Sequence, residues 1–226
     1  NWTELTLDEY YQASFDIEPN NKAYVYVRAT DASGNIAVIN SDGVVVYTDS
    51  EAVTDAVNFT MRDNKDVSFE VKLNGNTVKA LYNGETVIDN SNYTVSEDGT
   101  ITLKNSYIST LAAGEYTIRV EYNPLGESYK IGDKPLMTSM KLTVEKRMPT
   151  LNLVQRSERI YNGEPINVNK IGSTVMTDGD LVWEFKSVDA DDTAYTTTAP
   201  KNVGIYNVRL TAVETDVYKG GAVTTI

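Results

Sequence analysis

The chain has 226 residues, a net charge of −12, 41% hydrophobic content, no cysteine and no histidine. The missing residue types exclude a disulfide framework, thiolate or imidazole metal sites, and Ser-His-Asp or Cys-His catalysis. The acidity disfavours nucleic acid, whose phosphates call for lysine and arginine; no apolar run approaches the roughly 20 residues that span a bilayer; and the length suits two or three domains of about 100 to 150 residues.

The first fifty residues are the most acidic part, with 8 acids against 2 bases. In "KAYVYVRAT", Val25, Val27 and Ala29 alternate with Tyr24, Tyr26 and Arg28, which predicts a strand with the aliphatic side chains inward and the tyrosines outward. "TDASGN" predicts a hairpin turn in which Gly34 supplies positive φ. Three or four strands make half a sandwich, so either earlier strands are missing or this half-domain packs on the second unit; the favoured reading is the C-terminal part of a domain whose earlier strands are missing. The polar stretch Tyr47 to Asp55 then reads as a short, semi-rigid linker.

Beyond it, Val67, Phe69, Val71 and Leu73 alternate with polar residues up to a turn at "NGN". "LYNGETV" predicts a hairpin with Asn83-Gly84 at its tip, and "NYTVSEDGTITL" another that turns at Asp98-Gly99. "NSYISTLAAG" breaks the pattern: Asn105 or Ser106 is placed to cap one helical turn and Gly114 to end it. "GEYTIRV" is a strand with Tyr116, Ile118 and Val120 on one face. "VEKRMPT", Val144 to Thr150, reads as a second linker. In the last third "YNGEP" is a turn, and Leu181, Trp183 and Phe185 share a strand face that makes Trp183 a core residue.

The motif Gly-x-Tyr-x-(Ile/Val)-Arg-(Val/Leu) occurs twice, with Arg119 and Arg209 90 positions apart, and Arg28 in a weaker echo lies 91 before Arg119. That period is close to the roughly 100 residues of an immunoglobulin-like sandwich. The expected fold is therefore all-β, a tandem of Ig-like β-sandwich domains with units at 1–50, 51–147 and 148–226. Such domains often pin a corner through a tyrosine whose hydroxyl bonds to upstream backbone; Tyr116 and Tyr206 hold that position. The three arginines read as solvent-face strand residues.

Candidate sites are few. Asp189, Asp191 and Asp192 in "SVDADDTAY" form the sharpest acidic cluster, with calcium as the ion that such oxygen ligands suit. Without the bidentate glutamate and fixed glycine of a calcium loop, a solvated turn is the favoured reading, and no cofactor is expected. Sugar binding calls for exposed aromatic rings flanked by polar groups, which singles out Tyr24, Tyr26 and Trp2. Paired carboxylates occur, but no glycosidase pattern accompanies them, and no catalysis is expected.

"VKLNGNTVKALYNGETV", "NYTVSEDGTITLKNSYISTLAAGEYTIRVEY" and the closing "KLTV" resemble the X2 (carbohydrate-binding X2) Ig-like module of bacterial secreted and surface proteins. The stretch Asn123 to Ser139 departs from it as a longer insertion. "YVYVRATDASGNIAVINSDGVVVYTD" resembles the end of a bacterial Ig-like repeat. "YNGEP", "APKNVGIY" and "DVYKG" resemble repeats in the stalks of cell-wall-anchored proteins of Gram-positive bacteria. These resemblances imply an extracellular, cell-surface location and a non-catalytic spacer and adhesion segment. The alternative they imply is a carbohydrate-binding accessory module of a polysaccharide-degrading or mucin-adhering protein. Host or dietary glycans or surface proteins are the implied partners; a monomer, with neither nucleic acid nor membrane insertion, is expected.

Overall fold

A computed structural model describes residues 2–46, 48–125, 136–155 and 158–226. Most of the insertion read in Asn123 to Ser139 lies outside the described residues. Strands dominate, as alternation predicts. The first fifty residues carry β1 (Asn21–Ala23), β2 (Tyr26–Thr30), β3 (Ile36–Asn40) and β4 (Val44–Val46). Then come β5 (Glu51–Ala52), β6 (Ala56–Thr60), β7 (Val67–Lys72), β8 (Thr77–Asn83), β9 (Thr86–Ile88), β10 (Tyr93–Val95), β11 (Thr100–Leu103), the single helical turn α1 (Asn105–Ile108), β12 (Gly114–Asn123) and β13 (Thr138–Glu145). The last part carries β14 (Thr150–Leu153), β15 (Ser173–Met176), β16 (Leu181–Ser187), β17 (Tyr206–Ala212) and β18 (Gly221–Thr225).

Two sheets dominate the middle of the chain, a four-stranded one in the order β10-β11-β7-β5 and a five-stranded one in the order β6-β13-β12-β8-β9. Each has one dry face. The first buries Phe69, Val71, Ile101 and Leu103; the second buries Leu81, Ile88, Ile118, Val120 and Leu142. Antiparallel sheets with one buried and one wet face are the layers of an Ig-like sandwich. By compactness the chain divides into two units, one of Asn1–Val57, Ser68–Leu103 and Thr117–Lys141, the other of Asn58–Val67, Lys104–Tyr116 and Leu142–Ile226.

In the first unit, β1 pairs with β4 and β2 with β3, all antiparallel. Between the two ladders Val25 N–H donates to Ser41 Oγ at 3.1 Å and Ser41 N–H donates to the Val25 carbonyl at 2.8 Å. One extra residue is accommodated there, and Gly43 takes φ of 115°: a β-bulge. The aliphatic face predicted to be inward is not buried. Val27 is 48% exposed and its cross-strand partner Ile39 67% exposed. Alternation sets which side chains share a face, but burial needs a second layer over that face, and the described residues leave this one open.

The linker is held by the "NGN" turn. Asn76, 2% exposed, donates through Nδ2 to the Thr48 carbonyl at 3.2 Å and Ser50 Oγ at 3.1 Å, and its Oδ1 accepts from Leu125 N–H at 3.0 Å. Asn74, at φ of 51°, donates to the Asp49 carbonyl at 2.6 Å. Asn20 Oδ1 accepts from both the N–H and the hydroxyl of Thr48. A turn that looks generic in sequence thus fixes residues 48 to 50.

The β8–β9 hairpin turns one residue later than predicted. Asn83 still pairs with Thr86, so the two-residue loop is Gly84-Glu85, with Gly84 at φ of 58° in the first central position. That is the glycine placement of a II′ turn, whose twist suits a hairpin.

In the second unit, α1 is not capped by Asn105 or Ser106. The N-cap is Lys104, which supplies no side-chain bond; Asp66 Oδ1 accepts from Asn105 N–H at 2.8 Å instead. Gly114 opens β12 and does not end the helix. In the same unit, β14 pairs with β15, and β16-β17-β18 form a sheet. Ile171, Phe185 and Val208 form a core against which Trp183, Leu153 and Ile166 pack. Leu181, on the same strand face, is 40% exposed.

Candidate functional site

The outer face of β8, β9 and β12 gathers aromatic, cationic and acidic side chains. Leu81 and Ile88 pair and point into the core, so their neighbours Tyr82 and Val87 pair on the outside. On the other side Tyr82 opposes Arg119, the outward residue between buried Ile118 and Val120. Directly opposed residues on one face are within interaction distance, so Val87, Tyr82 and Arg119 form one row. The next row is shaped by a register shift between Glu121 and Tyr122. A bulge re-aims a side chain, and here Lys79 Nζ reaches Glu121 Oε1 at 2.8 Å while the Tyr82 hydroxyl donates to Glu121 Oε2 at 2.7 Å.

Arg119 closes the other end through Glu85 Oε1 at 2.5 Å and Met137 Sδ at 3.3 Å. The hydrogen bond to Glu121 raises the Tyr82 phenol above its ordinary range, with desolvation adding to it. Glu121 likewise raises Lys79, first by its hydrogen bond and then by its charge. Both shifts keep Lys79 cationic and the Tyr82 phenol uncharged at neutral pH. Val87 is 59% exposed beside the ring. Tyr82 is half-buried; with exposed Val87 beside it, the arrangement offers a partly accessible ring and both donors and acceptors for hydroxyl groups.

The candidates from the first fifty residues are placed less coherently. The Arg28 guanidinium carbon lies 5.1 Å from the centroid of the Trp2 ring, a cation–π stack. Tyr26 shares the face of β2 with Arg28 and is exposed. Tyr24 lies outside both ladders, and a side chain built on Gly43 would meet its ring at 3.6 Å. Its ring therefore covers the bulge glycine, so Tyr24 and Tyr26 serve different surroundings. In "TDASGN", Asp31 Oδ1 accepts from Ser33 and Asn35 N–H groups while Asn35 Nδ2 donates to Oδ2. The Asn35 side chain, first among these, holds the Asp31 carboxyl below its ordinary value.

The aspartates of "SVDADDTAY" do not converge. Asp191 Oδ1 accepts from Thr193 N–H and its hydroxyl, which lowers its pKa. Asp192 pairs with Lys186 Nζ at 2.8 Å. Among the described residues no group of three or more carboxylates could hold a metal ion. Lys186 is the informative neighbour, buried along its stem with its ammonium also donating to the Ala190 carbonyl at 2.9 Å.

The strand arginines are more engaged than solvent-face residues. Arg209 opposes Glu184 across β16 and β17 and grips it with two bonds of 2.8 and 2.9 Å, while its guanidinium carbon lies 4.0 Å from the Tyr195 ring centroid. Those bonds are the main cause that holds Glu184 below the usual glutamate range. A carboxylate depressed in the folded state adds stability above its unfolded pKa and loses it as pH falls through the folded value. Melting temperature measured from pH 7 down to pH 3 should therefore drop less steeply in Glu184→Gln than in the wild type; parallel curves would show that the pair carries no linkage. The tyrosines read as corners make these bonds: Tyr116 donates to the Ala112 carbonyl at 2.9 Å and Tyr206 to that of Asn202 at 3.2 Å.

Among known proteins the chain is 22% identical over 190 residues to Cellulose-binding protein A of Clostridium cellulovorans, covering 70% of this chain and 10% of that relative. The chain thus spans about a tenth of the length of the curated relative it matches. Solved structures that resemble it include a tri-modular endo-beta-1,4-glucanase B of Bacillus halodurans, at 16% identity and a TM-score of 0.34, covering 72% of this chain and 33% of that one. A three-Ig fragment of titin matches at 10% identity and a TM-score of 0.40, covering 98% and 80%. Among the described residues no helix is long and apolar enough to cross a membrane. Residues 53–131, which include Tyr82, Glu85, Arg119 and Glu121, match the family described as Carbohydrate binding domain X2.

Proposed function

We propose that this chain is an accessory carbohydrate-binding segment of an extracellular, multimodular protein, organised as units 1–50, 51–147 and 148–226. Its ligand is a neutral β-linked glucan of the cellulose type. The observation that carries the reading is the X2 match over residues 53–131; the similarity to a protein named for cellulose binding supports the ligand class. A net charge of −12 repels acidic polysaccharides and leaves neutral ones unopposed. Together these findings favour the accessory role over a pure spacer. The spacer role is the second reading, favoured by the asparagine bonds that fix residues 48 to 50.

Affinity electrophoresis of the full chain tests this. Migration should be retarded in gels that contain a soluble neutral β-1,4-glucan derivative and unchanged in gels that contain polygalacturonate. Equal migration in all gels would remove the binding role and leave the spacer.

A further inference from the structure

We infer that the saccharide-contact surface is the outer face of β8, β9 and β12, with the Tyr82 ring as its platform. The inference rests on the proposed glucan binding and adds where the chain is held and by which groups. The surface predicted from the exposed aromatics, around Tyr24, Tyr26 and Trp2, lies outside the matched segment. Its Trp2 ring is already stacked by Arg28, and its Tyr24 ring covers Gly43.

The Tyr82 face combines the features a sugar ring needs. A pyranose presents axial C–H groups on its flat side and hydroxyls around its edge. The first pack on an aromatic ring, and the second exchange hydrogen bonds with charged groups at the ring's border. Tyr82 is fixed at its hydroxyl by Glu121, so its ring is preorganised and loses little freedom on binding. Val87 on one side and the Arg119 stem on the other extend the apolar strip across three strands, wider than one side chain. At its two ends stand opposite-charge pairs, Lys79 with Glu121 and Arg119 with Glu85.

Each pair is neutral overall, which selects an uncharged ligand over a polyanion or polycation. The two cations leave donor capacity unused. An ammonium carries three donors and a guanidinium five, and the Glu85 side chain is 90% exposed, so hydroxyls can join these pairs without breaking them. Because β9 is the edge of the sheet, a chain lying across the row meets no further strand of that sheet beyond Val87 among the described residues.

Depletion isotherms of the full-length chain on insoluble cellulose, run for wild type, Tyr82→Ala, Tyr82→Phe, Val87→Asp and Tyr26→Ala, test the assignment. Tyr82→Ala should weaken binding by roughly tenfold or more, since it removes the stacking surface. Tyr82→Phe keeps the ring and should stay within about threefold of wild type. Val87→Asp changes an exposed edge residue outside the core, and places a charge beside the ring; it should lose binding with an unchanged circular dichroism spectrum, which separates site loss from misfolding. Tyr26→Ala should bind like wild type. If wild type binds while Tyr82→Ala and Val87→Asp bind equally well, the assignment falls and glucan binding stands; loss in Tyr26→Ala instead would place the contact on β2. No binding by wild type would overturn the assignment together with the function on which it rests.

Discussion

Replacing Gly99 with alanine should lower the stability of the protein by about 3 kcal/mol or more. Gly99 closes the β10–β11 hairpin at φ of 90°, a conformation that strains any residue with a Cβ. It is also buried, and its carbonyl accepts from Val71 N–H at 3.0 Å. A Cβ at this position would fall well inside contact distance of the Val71 carbonyl oxygen, which is backbone of the central strand β7 and cannot rotate away. The hairpin would have to lift from β7 and lose that bond. Gly84 provides the control. Its φ is also positive, at 58°, but nothing lies within 4 Å of its would-be Cβ, so Gly84→Ala should cost only the backbone strain, about 1 kcal/mol. Urea denaturation of the two variants separates strain from clash, and equal losses would show that the close approach at Gly99 is not what matters.

Loss of Asn76 should be nearly as damaging, by about 3 kcal/mol in Asn76→Ala. The amide is buried and serves three partners: Thr48, Ser50 and Leu125. Truncation removes three bonds at once, and an unmade buried bond costs more than a made one contributes. Asn76→Asp sharpens the test. A carboxylate keeps the acceptor for Leu125 N–H but aims an oxygen at the Thr48 carbonyl, so this near-isosteric change should also destabilise. Denaturation midpoints within about 0.5 kcal/mol of wild type for both variants would mean that the linker is not held through this side chain.

These two residues show what the sequence makes legible. Gly99 follows from local rules, because a glycine after Asp98 between alternating runs marks a turn. The clash with Val71 does not, since it depends on a strand some thirty positions earlier. Asn76 reads as one residue of an unremarkable turn, and its partners lie on both sides of it in sequence. The same distinction holds elsewhere. Alternation identifies the inward faces of β12 and β17, where Ile118, Val120, Val208 and Leu210 are buried. It fails for β2, because Val27 has the pattern of a core residue and no covering layer among the described residues.

The helix cap fails in the same way. Asn105 and Ser106 are the residues that local preference selects, whereas the group that satisfies Asn105 N–H is Asp66, 39 positions away. As for the proposed site, exposed aromatics on single strands select Tyr24, Tyr26 and Trp2 in the sequence. Tyr82 was hidden by register. Only the pairing of β8 with β12 puts Arg119 opposite it, and only the bulge at Glu121 brings Lys79 round. The arginines at a 90-residue period were visible as repeats, but their partners Glu85, Glu184 and Trp2 were not, since each is set by a fold contact that spacing does not encode.

The most direct measurement is a titration of the isotopically labelled full chain with cellohexaose, followed by amide chemical shifts. Saturable shifts that cluster at Tyr82, Val87, Arg119 and Glu121, with those of Tyr26 and Arg28 unmoved, are the predicted result. Shifts confined to β2, or none at millimolar sugar, would contradict carbohydrate binding by residues 53–131.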